Sequence, residues 1–250
     1  MNKRYWDEQD GFYYDVSIKT GKPCRIMTPA SFWAMLAGIP SKKQAERMVS
    51  YLRSGQYLGG ERPWVTLSRQ DKDYNDATGD YWRGGIWLPT AYMGTKALEK
   101  YGYYELADEL AEKVVRLQLR TFHAVSPHTI WECYNPSSDS PSTEHGRRAR
   151  PDFCGWSALG PISLFIENIM GFRQANALTN TITWSLKRKN GTHGLRNFRF
   201  GNVQTDIIYH ADKAHIEITS NKPYSLHVNG KQIKVKSGTH IYPFSAKDLL

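Results

Sequence analysis

Two segments of this sequence set flat aromatic rings beside charged side chains. The first holds Trp64, Tyr74, Tyr81, Trp82 and Arg83; the second holds Trp131, Glu132, Tyr134, Arg147, Arg148, Arg150 and Asp152. Such a mixture suits a sugar, whose ring offers C–H faces to stack on aromatics and hydroxyls to bond charged groups. Other chemistries lack their signatures. There is no Gly-rich phosphate loop, the eight histidines form no HxH or HExxH spacing, and Cys24, Cys133 and Cys154 lie more than 20 residues apart with no CxxC pairing. No metal, nucleotide or redox cofactor is expected, and the cysteines read as ordinary buried thiols.

The elements that must carry these segments are helices arranged in couplets. Residues 85–100 place Ile86, Trp87, Leu88, Ala91, Tyr92, Met93, Ala97 and Leu98 around most of a helix circumference, as an inner, all-round buried helix does. Residues 104–120 follow after a turn at Gly102, with Leu106, Leu110, Val114 and Leu117 on one stripe and charges elsewhere, which describes an outer helix. An earlier couplet pairs apolar residues 30–38 with amphipathic residues 42–53, the latter N-capped by Ser41. A third apolar helix is expected over residues 156–170, kinked or reset by Pro161. The links 54–84 and 121–155 far exceed the usual loop of about 4 to 6 residues. Alternation of inner and outer helices puts both long loops, with their aromatic and charged residues, at one end.

Charge divides the chain. Of the net +9, residues 173–250 contribute +8 and residues 1–172 only +1, while seven of the eight tryptophans lie in the first part. A domain boundary near residues 171–175 follows, with a mainly helical part at 1–172 and a β-rich part at 173–250. In the second part lysines alternate with apolar residues, as in Gln232-Ile233-Lys234-Val235-Lys236, so they read as solvated strand faces and not as a nucleic-acid surface. Asn229-Gly230 between two such runs is a hairpin signal, because both positions of a type I′ turn need positive φ. A small antiparallel sheet or sandwich is expected over 175–245, with no cluster of acids, histidines or nucleophiles suited to chemistry. No apolar run approaches the roughly 18 to 20 residues of a membrane helix, and the first eight residues lack the apolar core of a signal peptide. No membrane partner is expected, and the compartment stays open.

Three segments in order, Tyr81-Trp82-Arg83-Gly84-Gly85-Ile86-Trp87-Leu88-Pro89-Thr90, Trp131-Glu132-Cys133-Tyr134-Asn135-Pro136 and Phe153-Cys154-Gly155-Trp156-Ser157-Ala158-Leu159, resemble the C-terminal part of the (α/α)6-barrel glycosidases of glycoside hydrolase family 63, including the mannosylglycerate-hydrolase-like branch, with family 37 trehalases as more distant relatives. Residues 6–15 and 30–33 fit the same family, and the resemblance spans about residues 4–172. It implies a partial (α/α)6 toroid followed by the β-rich accessory domain, and hydrolysis of a glycosidic bond with inversion. The family's general base falls on Glu132, with Tyr134 and Asn135 keeping the surrounding motif and Tyr134 counted with the sugar-binding residues. Trp82 and Trp131, in loops, are the expected stacking plates. Trp87 and Trp156, on apolar helices, either stack on sugar or pack in the core. Arg83 either meets the sugar or ties loops together by pairing with Asp80 or Asp152.

The family's general acid, an aspartate in a G-x-D-N/F-S-like motif well upstream of the base, has no counterpart here. Asp73, Asp76 and Asp80 are read as turn formers. About five helices are expected where a closed barrel has twelve. The chain is therefore expected to be the C-terminal portion of a longer enzyme, dependent on a missing N-terminal half or on self-association, with an oligosaccharide or small glycoside, α-glucoside or α-mannoside, as substrate. The alternative is a non-catalytic carbohydrate-binding or interaction remnant that kept the aromatic plates and lost the chemistry.

Overall fold

The computed structural model describes residues 1–248, which divide along the chain into two compact units, the first ending at Phe165 and the second starting at Ile166. Among the described residues no helix is long and apolar enough to cross a membrane.

The first unit is built on three helices, α1 (Lys42–Arg53), α2 (Leu88–Lys100) and α3 (Tyr104–Ala124). Helix α1 starts at a capping box: the Ser41 hydroxyl accepts from the Gln44 amide, and the Gln44 side chain accepts from the Ser41 amide. Its buried stripe of Ala45, Met48, Val49 and Leu52 faces the core, and Tyr51 meets Phe12 edge-on at 5.4 Å. Helix α2 opens with Pro89 in its first turn, where a missing N–H costs nothing. Gly94 lets it lie against Trp64, because a Cβ there would sit 2.3 Å from the indole. Helix α3 packs on α2, buries Leu106, Leu110, Ala111, Val114 and Leu117, and carries Glu109–Lys113 and Glu112–Arg116 ion pairs.

Several expected elements take other forms. The helix predicted from residue 85 begins only at Leu88, because Ile86 is held extended by reciprocal hydrogen bonds to Tyr134. Residues 30–38 give a 3-10 turn at Pro29–Phe32 and one α-turn at Trp33–Leu36, closed by Gly38 at φ +74°. The helix expected over 156–170 is a 3-10 turn, Trp156–Leu159, followed by the wider turns of a π-helix, Gly160–Ile169. Pro161 has no N–H for an α-helical ladder and its ring crowds the preceding turn, so a regular α-helix does not run through it. Of the cysteines only Cys133 is buried; Cys24 and Cys154 lie in exposed loop segments, contrary to expectation.

The second unit holds the end of that π-helix and then eight strands, β1 (Phe172–Asn176), β2 (Thr181–Trp184), β3 (Thr192–Phe200), β4 (Val203–His210), β5 (His215–Ser220), β6 (Tyr224–Val228), β7 (Lys231–Val235) and β8 (Gly238–Pro243), followed by a 3-10 turn at Ala246–Asp248. They form two four-stranded sheets of order β7-β6-β2-β1 and β8-β5-β4-β3. Alternating residues such as Ile182, Trp184, Ile207, Tyr209, Ile216, Ile218, Leu226 and Val228 fill one common core. Trp184 stacks on Phe172 at 4.4 Å and donates its indole N–H to the Met170 carbonyl. The β6–β7 hairpin turns on Asn229 and Gly230 at φ +47° and +82°, as their sequence requires. One pairing departs from the antiparallel expectation: β2 and β6 run parallel, since they come from separate excursions of the chain and not from one hairpin.

Candidate active site

The first unit brings two of the three motif segments together by backbone. Ile86 donates to and accepts from Tyr134, at 2.8 and 2.9 Å, and this bridge continues to Val65 on one side and Pro141 on the other. The Trp82–Arg83 loop and the Trp131–Tyr134 segment therefore share a register independent of their side chains.

Glu132 sits at this junction, 3% exposed. Its amide donates to the Arg150 carbonyl at 2.9 Å, and its carbonyl accepts from the Ser157 hydroxyl at 3.0 Å, so the third motif grips the same residue. The carboxylate is held more loosely. Oε1 accepts from the Tyr81 phenol at 3.4 Å, while Oε2 has no hydrogen-bond partner among the described residues; its nearest cation is Arg150 Nε at 3.9 Å, on a side chain 71% exposed. Burial, and then the charge of Glu132, push the Tyr81 hydroxyl above its usual range, so it stays a donor. Tyr81 has φ +65° and Asp80 φ +25°, values rare outside glycine, and the turn they make carries both the phenol and Trp82 to this place.

An aromatic cluster adjoins the carboxylate. Trp82 stacks on Trp87 with centroids 4.3 Å apart and planes 6° from parallel; Tyr81 meets Trp87 edge-on at 4.6 Å, and Trp156 meets it at 5.8 Å. Trp87 is buried, whereas Trp82 is 53% exposed and Trp156 nearly as much. Trp82 also walls an open groove of about 790 Å³ with Arg25, Thr28, Gln70, Asp73 and Thr90. Glu132 is not in that lining.

The remaining sequence candidates fall elsewhere. Trp131, expected as a stacking plate, is 2% exposed and packs into the main core. Tyr134, expected at the sugar, is 1% exposed, and its hydroxyl accepts from the Trp131 amide and the Gln118 side chain, both at 3.1 Å. Gln118 reaches on to the Ser157 carbonyl. Burial raises the Tyr134 pKa, so this strut is a neutral phenol. Arg83 is half exposed and ties its loop down, with Nε on the Asp73 carbonyl at 2.9 Å and Nη1 3.4 Å from Asp80. Asp80 also accepts from the His145 amide, and Asp76 accepts from Ser137, so these aspartates join the two loops. Gln118 carried no signal in the sequence; Tyr81 and Arg150 stood among the aromatic and charged residues of the long loops, Tyr81 also opening the first motif, and Ser157 stood only within the third motif, none with a role of its own.

The mannosylglycerate hydrolase MGH1-like glycoside hydrolase domain matches residues 1–155. An uncharacterised protein of Borreliella burgdorferi is 30% identical over 237 residues, 92% of this chain and 49% of its own length. The cytosolic neutral trehalase of Kluyveromyces lactis is 32% identical over 123 residues, 49% of this chain and 16% of the trehalase. The crystal structure of the GH63 mannosylglycerate hydrolase from Thermus thermophilus in complex with Tris superposes on 66% of this chain and 35% of its own with a TM-score of 0.52, a likeness of fold at 22% identity. The chain thus spans about half the length of one of these relatives and less of the others. Three ordered motifs meeting at one buried glutamate accord with a domain match over most of the first unit, and the chain belongs to the family of mannosylglycerate hydrolase MGH1-like glycoside hydrolase domains.

Proposed function

We propose that this chain carries the water-activating side of an inverting glycosidase site acting on an α-glucoside or α-mannoside, with Glu132 as general base. The observation that carries this reading is a buried carboxylate fixed at its backbone on both sides, with one oxygen lacking any hydrogen-bond partner among the described residues, next to half-exposed indoles. A general base needs a lone pair aimed at water and a fixed position, and contributes about 10² to 10⁴-fold to rate. Glu132 takes the proton as the water oxygen attacks the anomeric carbon. A carboxylic acid on the opposite face, about 6.5–9.5 Å away, protonates the departing oxygen. That acid belongs to a part of the enzyme outside this chain. Trp82 and Trp156 offer faces to the sugar, with Trp87 as their backing, and Tyr81 aims the carboxylate. Trp131 and Tyr134 support the segment from beneath. In this reading residues 1–172 form part of an (α/α)6 toroid, and residues 173–250 are its accessory domain.

The test joins this chain to the N-terminal half of a related mannosylglycerate hydrolase and follows the anomer released from α-glucosyl and α-mannosyl substrates by NMR. Inverted product, with turnover lowered about 10² to 10⁴-fold by Glu132→Gln, is expected. Product of retained configuration, or unchanged turnover in Glu132→Gln, overturns the assignment. Sugar binding that survives Glu132→Gln, with no turnover in any joined form, would favour a binding module instead.

A further inference from the structure

Far along the chain, the sheet unit gathers three metal-ligating side chains. His210 ends β4 and His215 begins β5, and the two are direct cross-strand partners. Glu217 follows two residues after His215, so both lie on the same face of β5, opposite the buried Ile216 and Ile218. One donor atom from each of the three falls within 4.8 Å of the other two, and His210 Nε2 lies 3.8 Å from a Glu217 oxygen. Among the described residues this is the one such group of three or more histidine, cysteine or acidic side chains.

We infer that His210, His215 and Glu217 form a binding site for a borderline divalent transition metal, with Zn²⁺ as the best match. Two imidazoles and a carboxylate are a common zinc set that leaves one position open to water. Zinc bonds of about 2.0–2.2 Å put donors roughly 3.3 Å apart around a tetrahedral ion, so the observed spacing closes by small changes in side-chain rotamers. Glu217, nearly half exposed, is free to make them. The backbone is already set. The four-residue β4–β5 turn is closed by Lys213 donating to the His210 carbonyl and Ala214 donating to Ala211, and Phe244 donates to the Ala214 carbonyl from the far side. The Thr192 hydroxyl on β3 lies 3.4 Å from His210 Nδ1. With Nδ1–H donating to that hydroxyl, the Nε2 lone pair is left for the metal, the usual way an outer group fixes the tautomer of a histidine ligand. The His-x-His spacing sought along one segment misses this set, because a hairpin supplies one imidazole from the neighbouring strand. This corrects the expectation that the strands hold no cluster suited to chemistry. A bound ion would clamp the turn end of the β4–β5 hairpin.

The test titrates the untagged, metal-stripped 250-residue chain with ZnCl₂ by calorimetry and with Co²⁺ by absorption spectroscopy. One Zn²⁺ per chain is expected, with cobalt d–d bands of low coordination number and no thiolate-to-cobalt charge-transfer band. His215→Ala and Glu217→Gln should each abolish that site, and Thr192→Val should weaken it about 10-fold. Circular dichroism of the metal-free variants checks folding; if His215→Ala fails to fold, Glu217→Gln and Thr192→Val decide. Absence of Zn²⁺ binding, a thiolate band, or unchanged affinity in Glu217→Gln and Thr192→Val overturns the inference.

Discussion

Replacing Tyr134 with Phe separates two roles for a residue that the sequence assigns to the sugar and the structure places beneath Glu132. The ring stays, so no cavity opens; only the hydroxyl is lost. That oxygen accepts from the Trp131 amide and from Gln118 at 3.1 Å each, in a site 1% exposed. Gln118 keeps the Ser157 carbonyl as an acceptor, so its loss is about 1 kcal/mol, whereas the Trp131 amide is stranded at about 1–3 kcal/mol. The total is about 2–4 kcal/mol. Hydrogen exchange read by mass spectrometry on a peptide spanning residues 129–136 should show protection falling roughly 30- to 700-fold at the Trp131 amide. Peptides from the sheet unit serve as internal control and should not change. A loss below about 0.5 kcal/mol, inside the usual range of surface substitutions, would refute the strut, and a loss of sugar affinity at unchanged stability would return Tyr134 to the substrate.

Three further predictions concern the first unit. The Asp10 amide and Arg25 hold Asp7 below the usual carboxylate range against the effect of burial; at Asp139 burial acts upward, but hydrogen bonds from Arg120 and Arg62 outweigh it. Depressed folded-state values mean that this stability is present above the unfolded pKa of about 3.9 and is lost as pH falls through the folded one. Thermal melts of the first unit should therefore decline below about pH 4, and Asp139→Asn should flatten that decline. Burial pushes the Cys133 thiol up to about 12, so an aromatic disulfide reagent at mildly alkaline pH should modify Cys24 and Cys154 in the native chain and Cys133 only after unfolding. Gly94→Ala forces a methyl against the Trp64 indole and should cost about 1–3 kcal/mol in urea unfolding of the helical unit.

What could be read in the sequence follows how local its physical cause is. Ser41 announces the start of α1 as its N-cap, Asn229-Gly230 announces its hairpin within two residues, and both form as read. The stripe on α3 is equally plain, since an outer helix has one apolar face. Residues 30–38 and 156–170 misled because all-round apolarity specifies neither the kind of turn nor which side chains are covered, and Trp33, Ile162 and Phe165 are exposed. At the site, the motif residues were visible, but which indoles face solvent was not. Trp82 and Trp131 both lie in loops, and only the positive φ of Tyr81 and the bridge at Ile86 turn one outward and the other into the core. The metal cluster escaped for a similar reason, because His210 and His215 meet through strand register, which spacing along the chain does not display.

The reciprocal hydrogen bonds between Ile86 and Tyr134 use only main-chain atoms. Glu132 is thus placed two residues from a main-chain bridge whose pairing does not depend on the side chains at the loop tips beyond it. The tips of the two loops, which carry Trp82, Arg83, Arg147 and Arg148, can then lengthen, shorten or change composition while the glutamate keeps its place. In the reading proposed above, a scaffold of this kind lets recognition drift between sugars at the loop tips while Glu132 keeps its position, and grafted loop tips are the changes most readily absorbed.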